Sequence, residues 1–139
     1  MILERIKYDE LNARQKEIYN FQKVAGLLAD FGFNCIKLSD DWQGADFLAY
    51  HKDGDHTLRV QLKSGMGIYS KYFGKELHMS FPIDGTWYLI PHDELVGIVS
   101  EERPRTFETY SWTRENGFYT WPRPPKNIRA RLSEYALSQ

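Results

Sequence analysis

The sequence predicts an α/β or α+β fold, in which an N-terminal helix packs on a central mixed sheet of about 4–6 strands and a C-terminal helix closes the chain. Two patterns support this prediction. Apolar residues recur at helical spacing over residues 11–31, and short apolar runs bounded by turn residues follow between residues 33 and 90.

Residues 11–31 predict one long amphipathic helix. Its polar side carries Gln15 and Lys16, and Gly32 follows directly as a stop signal. The apolar positions recur three and four residues apart, which predicts the face that packs on the sheet. These positions are Ile18, Phe21, Val24, Ala25, Leu28 and Phe31.

Five short runs rich in apolar residues predict strands. The second and third form a hairpin, because the Asp53-Gly54 pair between them is a turn signal. Residues 39–44 predict a loop before the hairpin, residues 64–67 break the strand pattern, and a short helix near residues 69–76 stays open. The predicted strands are 33–38, 44–50, 57–63, 77–81 and 86–90.

The last third of the chain is aromatic and basic. A short helix is predicted at 91–99, and one or two short strands are predicted within the irregular region 103–121. The prolines of 122–125 separate this region from a final helix at 126–137.

The composition limits the class of protein. At 139 residues with 42% hydrophobic residues, the chain predicts a single domain over residues 1–139, with a core at about 11–90 and an extension at about 101–139. The net charge of −1 does not by itself indicate nucleic-acid binding, so any such face has to be a local basic patch. Cys35 is the only cysteine, and no apolar stretch reaches about 18 residues, which predicts a cytoplasmic protein with neither disulfides nor a membrane span.

Glu17 is the first candidate for chemistry. At about 100° per residue it lies near the direction of Phe21 and Val24, so it is expected to project from the apolar stripe toward the sheet. A buried carboxylate needs a partner, and a metal ion or a lysine would serve. The alternative is that the first turn overhangs the edge of the core, where Glu17 is solvated or forms a salt bridge.

Asp46, Gln61 and Lys63 lie on the predicted hairpin. Side chains alternate along a strand, so Gln61 and Lys63 share a face, and Asp46 joins them if the register between the strands is right. Carboxylate and amide oxygens are ligands suited to Mg²⁺, and the Lys63 ammonium can orient a water or offset charge on a phosphoryl group. The alternative is an ordinary exposed hairpin face with mixed polar residues.

The combination resembles the PD-(D/E)XK nuclease superfamily, the core of many restriction enzymes, Holliday-junction resolvases and some homing endonucleases. The resemblance covers about residues 11–90. Its features are Glu17 on the helix, Gly44-Ala45-Asp46 where the family has Pro-Asp, and Gln61-Leu62-Lys63 where the family has Asp/Glu-x-Lys. The resemblance implies a restriction-endonuclease-like core.

The resemblance also implies a role for each site residue. Asp46, Gln61 and the backbone carbonyl of Leu62 would bind one or two Mg²⁺ ions, with Mn²⁺ as a substitute. Glu17 would add a ligand, as in resolvase-like members, and Lys63 would assist the attacking water. Gln61 departs from the family pattern, because it replaces an acid, and glutamine occurs there both in active members and in members that have lost catalysis.

Basic residues near aromatic ones predict the contacts to nucleic acid. One group follows the hairpin and the other lies in the C-terminal third, and the alternative for the second group is a solvated face. Trp112 and Trp121 lie among these basic residues, but we assign them to a small core under the last helix. The predicted contacts are Lys71, Tyr72, Lys75, Arg123, Lys126 and Arg129.

These observations predict a metal-dependent endonuclease that hydrolyses phosphodiester bonds in nucleic acid, DNA rather than RNA. The alternatives are a catalytically inactive module of the same fold that binds nucleic acid or a protein partner, and a protein-interaction domain. Cleaving both strands of a duplex would need two sites, which predicts a homodimer. The histidines at positions 51, 56, 78 and 92 show no metal-ligand spacing, and we assign them structural or exposed roles.

Overall fold

The structure is a computed structural model that describes residues 1–138, apart from the side chains of Asp41 and Trp42. Gln139, the last residue of the predicted domain, lies outside the described residues. None of the described helices is long and apolar enough to cross a membrane. The helices are α1 (Ala13–Ala29), α2 (His92–Glu102), α3 (Tyr110–Thr113) and α4 (Lys126–Leu132). The strands are β1 (Phe33–Trp42), β2 (Ala45–His51), β3 (Thr57–Leu62), β4 (Met66–Tyr69), β5 (Leu77–Ile83), β6 (Thr86–Pro91) and β7 (Phe118–Trp121).

Five strands form one mixed sheet in the order β1-β2-β3-β5-β6. The β3 and β5 strands run parallel, and the other neighbours in the sheet run antiparallel. The β4 and β7 strands form a separate antiparallel pair. This arrangement confirms the predicted class: an N-terminal helix, a mixed sheet and a C-terminal helix.

Helix α1 packs on the β2–β3 hairpin. It begins at a capping box, in which the Asn12 side chain accepts a hydrogen bond from the Gln15 backbone N–H and the Gln15 side chain accepts one from Asn12. Removing apolar side chains from water holds the helix against the two strands. The buried cluster between them consists of Val24, Leu28, Phe47, Ala49 and Val60.

A second buried cluster joins the rest of the sheet to the C-terminal helices. Met79 and Phe81 of β5 pack there with side chains of α2, α4 and β4. Trp112 and Trp121 pack against this cluster, in agreement with their assignment to a core. The aromatic third of the chain is therefore tied to the sheet by burial of apolar surface.

Two members of the predicted buried face of α1 are exposed. Ile18 is 39% exposed, and Phe31 lies beyond the helix end and is 51% exposed. The buried positions of α1 are Asn20, Val24 and Leu28, which form a single row four residues apart. The prediction was wrong for these two residues because the helix presents a narrower stripe to the sheet than the sequence pattern indicates.

The predicted loop at 39–44 is also wrong, because β1 continues to Trp42. This strand lies at the edge of the sheet, and its register with β2 shifts between Lys37 and Trp42. Edge strands tolerate polar side chains, so the sequence pattern of a strand is weak there. The final helix ends at Leu132 rather than at Leu137. Residues 66–67 begin β4 rather than only interrupting the strand pattern. Region 103–121 contains one strand, β7, and two short helical segments.

Leu28→Ala is expected to lower the free energy of unfolding by about 2–5 kcal/mol, because it leaves a cavity in the cluster between α1 and the hairpin. Ile18→Ala on the same helix is the matched control and is expected to cost well under about 1 kcal/mol, because Ile18 is substantially exposed. Urea denaturation followed by circular dichroism measures both. Equal losses in the two variants would contradict the described packing of α1.

Candidate active site

A tight turn places Asp46 at the start of β2. Gln43 and Gly44 have positive φ angles of 53° and 87° and connect Trp42 to Ala45, its partner across the hairpin. A Cβ atom on Gly44 would lie 2.7 Å from a methyl carbon of Leu77. The positive φ angle favours glycine at this position, and a Cβ atom would also require the Leu77 side chain to shift. Asp46 lies two residues beyond Gly44.

Asp46 and Gln61 are neighbours across β2 and β3. The pairing of the strands runs from Tyr50 opposite Thr57 to Phe47 opposite Val60. Asp46 and Gln61 occupy the next position on each strand, so alternation places both side chains on the same face of the hairpin.

The Asp46 carboxylate closes the end of this hairpin. Its Oδ2 accepts a hydrogen bond from the Leu62 backbone N–H at 2.9 Å. A hydrogen bond to an ionised carboxylate is stronger than one between neutral groups, so this contact fixes the side chain relative to β3. The acid is therefore positioned by the backbone of the strand that carries Gln61.

One cavity of about 400 Å³ collects the predicted site residues at this end of the hairpin. Asp46, Gln61, Leu62 and Lys63 line it from the strands, and Glu17 lines it from α1. The structure thus brings together the five residues for which the sequence predicts metal binding or catalysis. Their chemical roles stay predictions.

Gln61 is one of two buried polar residues that line this cavity, and the other is Asn20. Gln61 is 7% exposed, and its Oε1 atom has no hydrogen-bond partner among the described residues. Leaving a buried amide oxygen unsatisfied costs about 1–3 kcal/mol, so such an atom calls for an explanation. With Asp46 and Glu17 on the same cavity, the donor set consists of hard oxygen atoms, which fits Mg²⁺ or Mn²⁺.

Glu17 is exposed, so the prediction that it projects from a buried stripe was wrong. Asn20 takes the buried position instead, and its Nδ2 donates a hydrogen bond to the Tyr8 hydroxyl at 2.9 Å. Glu17 lies in the overhanging first turns of α1 and also lines an adjoining cavity with Lys37, Asp40 and Asp46. A water-accessible carboxylate at the mouth of the cavity can still approach a bound cation, which keeps several waters.

Lys63 follows directly after β3, and its backbone N–H donates a hydrogen bond to the Ser80 carbonyl at 2.9 Å. Its Nζ atom lies 4.6 Å from the ring centroid of Tyr69 and 5.9 Å from that of Tyr72. Attraction between the ammonium and the ring faces orients the side chain. Burial raises the pKa of the Tyr69 hydroxyl, so this ring stays neutral beside the lysine.

Lys63 also lines a groove of about 680 Å³ that leads away from the cavity. Arg123 and Arg129, two of the predicted nucleic-acid contacts, lie along this groove. Arg123 is exposed, whereas Arg129 forms an ion pair with Asp84 at 2.7 Å. The groove therefore joins the cavity to a basic surface of the C-terminal third.

The other predicted nucleic-acid contacts lie apart from this groove. Lys71, Lys75 and Lys126 are exposed, and the described lining of the cavity and the groove includes none of them. Tyr72 is only 5% exposed and packs in the second buried cluster. Its ring packs in this cluster, so little of it is accessible, and its predicted contact with nucleic acid stays a prediction.

Two lysines of the cavity were missed by the sequence interpretation. Lys16 and Lys37 line it together with Lys63, so three ammonium groups face a cavity that holds two carboxylates. Lys16 precedes Glu17 in the chain, which was an available signal. Lys37 belongs to β1 and lies opposite Phe47 of β2. The sequence does not reveal this register, because it depends on how the two strands pair.

The fold is similar to those of two solved nucleases. The bacterial homing endonuclease I-Ssp6803I gives a TM-score of 0.50 at 14% identity, with 91% of this chain and 87% of that chain covered. The Holliday junction resolvase Hjc of Archaeoglobus fulgidus gives a TM-score of 0.43 at 16% identity, with coverage of 56% and 74%. No protein-family model and no curated protein sequence matches this chain.

The similarity to I-Ssp6803I extends over nearly the whole chain. The chain therefore shares the fold of this homing endonuclease, which is the kind of fold that the resemblance predicted from the sequence implies. At this level of identity the similarity concerns the fold, and the chemistry has to be argued from the residues of the cavity.

Gln61→Met is expected to keep or raise the free energy of unfolding, by up to about 1 kcal/mol in the presence of EDTA, because it removes the unsatisfied oxygen at similar volume. The same change is expected to weaken Mg²⁺ binding. Denaturation and titration calorimetry measure the two effects. A large loss of stability in EDTA would mean that the Gln61 amide is satisfied within the protein.

Proposed function

We propose that this chain is a metal-dependent endonuclease that hydrolyses phosphodiester bonds in DNA. The observation that carries the proposal is the shared cavity, in which the orphaned Gln61 oxygen lies with the carboxylates of Asp46 and Glu17 and with Lys63. The nuclease fold supports the same reaction class, and one solved structure of similar fold is a homing endonuclease. The homodimer that cutting both strands would need stays a prediction.

Glu17, Asp46, Gln61 and the Leu62 carbonyl are the residues that would hold a divalent cation. Such a cation, when bound, supplies Lewis acidity at the phosphate and a water of lowered pKa. The Leu62 N–H keeps the Asp46 carboxylate in position for this role. Because carboxylate, amide and carbonyl oxygens are hard ligands, the set favours Mg²⁺ or Mn²⁺ over softer cations.

The lysines of the cavity would act on the substrate. Lys63 is held against the ring of Tyr69, where its ammonium can orient a water or offset the charge that develops on the phosphoryl oxygens. Lys16 and Lys37 add positive charge around the carboxylates, which favours approach of a phosphate despite the acidic ligands. The cavity would then combine a cation site with the positioned ammonium group of Lys63.

The groove beyond Lys63 would carry the polynucleotide. It is lined by the aromatic side chains of Tyr69 and Trp121 and by Arg123 and Arg129. Arginines neutralise backbone phosphates, and aromatic rings offer stacking surfaces for exposed bases. Arg123 is the stronger candidate for a phosphate contact, because Arg129 is already paired with Asp84.

A catalytically inactive nucleic-acid-binding module is the second candidate, and the neutral Gln61 favours it. Replacing an acid by an amide leaves two carboxylates on the cavity, which weakens electrostatic attraction for a cation. Titration calorimetry separates the two candidates: DNA binding without any Mg²⁺ or Mn²⁺ binding would favour the module.

Asp46→Asn and Lys63→Met are each expected to lower Mg²⁺-dependent DNA cleavage by at least about 100-fold, since one removes a ligand charge and the other a fixed ammonium. Nicking of supercoiled plasmid measures the rate. Asp30→Asn and Lys52→Met, at exposed residues away from the cavity, are the matched controls. Wild-type rates in both cavity variants would refute the proposed active site.

Arg123→Ala is expected to weaken DNA binding and to reduce the slope of log K against log salt by about 0.9, the value for one phosphate contact on duplex DNA. Arg105→Ala changes an exposed arginine that does not line the groove and is the control. Fluorescence anisotropy in Ca²⁺ or EDTA over a range of salt concentrations gives both slopes. An unchanged slope for Arg123→Ala would show that Arg123 in the groove does not contact the bound DNA.

A further inference from the structure

A second group of metal-ligand side chains lies at the turn of the β2–β3 hairpin. His51 ends β2, and Asp53 and His56 lie in the turn that follows. One ligand atom of each residue lies within 4.8 Å of the corresponding atoms of the other two. Asp46 and Gln61 lie at the opposite end of the same two strands, so this group is separate from the candidate active site.

The Asp53 carboxylate faces both imidazoles. Its Oδ2 atom lies 2.6 Å from Nδ1 of His56 and 3.1 Å from Nδ1 of His51. Its Oδ1 atom is fixed by the backbone, because it accepts hydrogen bonds from the N–H groups of Asp55 at 2.8 Å and His56 at 3.2 Å. The hydrogen bond from the Asp55 N–H, followed by those from His56, holds the pKa of this carboxyl well below its ordinary value, so the group is charged. The Nδ1 atom of His51 accepts a hydrogen bond from the Asp53 N–H at 3.1 Å.

Backbone hydrogen bonds hold the turn in one conformation. The His51 N–H donates to the His56 carbonyl at 2.8 Å, and the Gly54 N–H donates to the His51 carbonyl at 3.0 Å. Gly54 has a φ angle of 77°, which glycine adopts without strain. The Phe33 ring packs edge-on against His51 with the centroids 4.9 Å apart. The backbone therefore holds the Asp53 carboxylate and the His51 imidazole in a fixed orientation.

Two imidazoles and one carboxylate are a donor set for a borderline transition cation rather than for Mg²⁺. The ligand atoms of a tetrahedral zinc ion, at about 2.0–2.1 Å from the metal, lie about 3.3 Å from one another. The separation of 3.1 Å between Asp53 and His51 fits this value. His56 has to move outward by less than an ångström or so, and its side chain is 71% exposed and free of core packing.

We propose that His51, Asp53 and His56 bind one Zn²⁺ ion, with water completing its coordination. The ion links the end of β2 to the residue before β3 and so clamps the hairpin at its turn. Since Asp46 and Gln61 are placed by the register of the same strands, the zinc ion stabilises the hairpin that carries the candidate active site. The proposal does not depend on nuclease activity.

The experiment titrates Zn²⁺ into metal-free protein. Wild-type protein is expected to bind one equivalent and to unfold at a higher temperature with zinc, because a ligand that binds the folded state stabilises it. His51→Ala with His56→Ala is expected to weaken Zn²⁺ binding at least tenfold or so and to abolish the thermal shift. Asp46→Ala and the turn control Lys52→Ala are expected to bind zinc as the wild type does.

Long-range ¹H–¹⁵N spectra of the histidine rings locate the ion. Zinc is expected to shift the ring nitrogens of His51 and His56, while those of the half-buried His78 and the buried His92 stay in place. Mg²⁺ is expected to shift none of them. The single variant His56→Ala, at an exposed ring, keeps the test valid if the double variant fails to fold. Unchanged zinc affinity in His56→Ala, zinc shifts confined to other rings, or no saturable uptake by the wild type would overturn the proposal.

Discussion

The pairing of Phe47 with Val60 is the constraint on which the candidate active site depends. It places both side chains in the buried cluster under α1, and it places Asp46 and Gln61 at the next position on the adjoining strands. A slip of one residue would turn an entire strand over and expose its apolar face. Burial of apolar surface under the helix therefore also fixes the relative positions of the two polar groups that line the cavity.

Two features at the same end of the hairpin lower the stability of the protein, and packing elsewhere offsets this loss. Gln43 is a non-glycine residue with a positive φ angle, and Gln61 keeps a buried oxygen without a described protein partner. Features of this kind lower stability, and they are concentrated at functional sites. The orphaned Gln61 oxygen beside the Asp46 carboxylate is the physical reason to treat the cavity as a binding site rather than as an incidental surface depression.

The sequence predicts those parts of the fold that have strong local signals. The Asp53-Gly54 turn and the apolar alternation around it predict the hairpin, and the facing of Asp46 and Gln61 follows once the hairpin register is known. The exposure of the Glu17 side chain was not predictable, because it depends on where α1 crosses the end of the sheet. The burial of Tyr72 was missed for a similar reason, since the second cluster is assembled from segments distant in the chain.

The histidine cluster illustrates the same limit. The spacing of His51, Asp53 and His56 matches no common ligand motif, and their approach depends on the turn and on the hydrogen bonds that fix Asp53. Long-range contacts likewise bring Lys37 to the cavity from the edge strand. Sequence patterns thus indicate which strands exist, while the tertiary structure decides which polar groups meet.

The proposed activity requires a divalent cation between Asp46 and the orphaned oxygen of Gln61. Anomalous diffraction from crystals soaked in Mn²⁺ tests it most directly. We expect a peak in the cavity, with both ligand oxygens at the coordination distances of hard divalent cations, about 2.0–2.6 Å. An empty cavity at saturating Mn²⁺, with Gln61 Oε1 hydrogen-bonded to the protein, would contradict it.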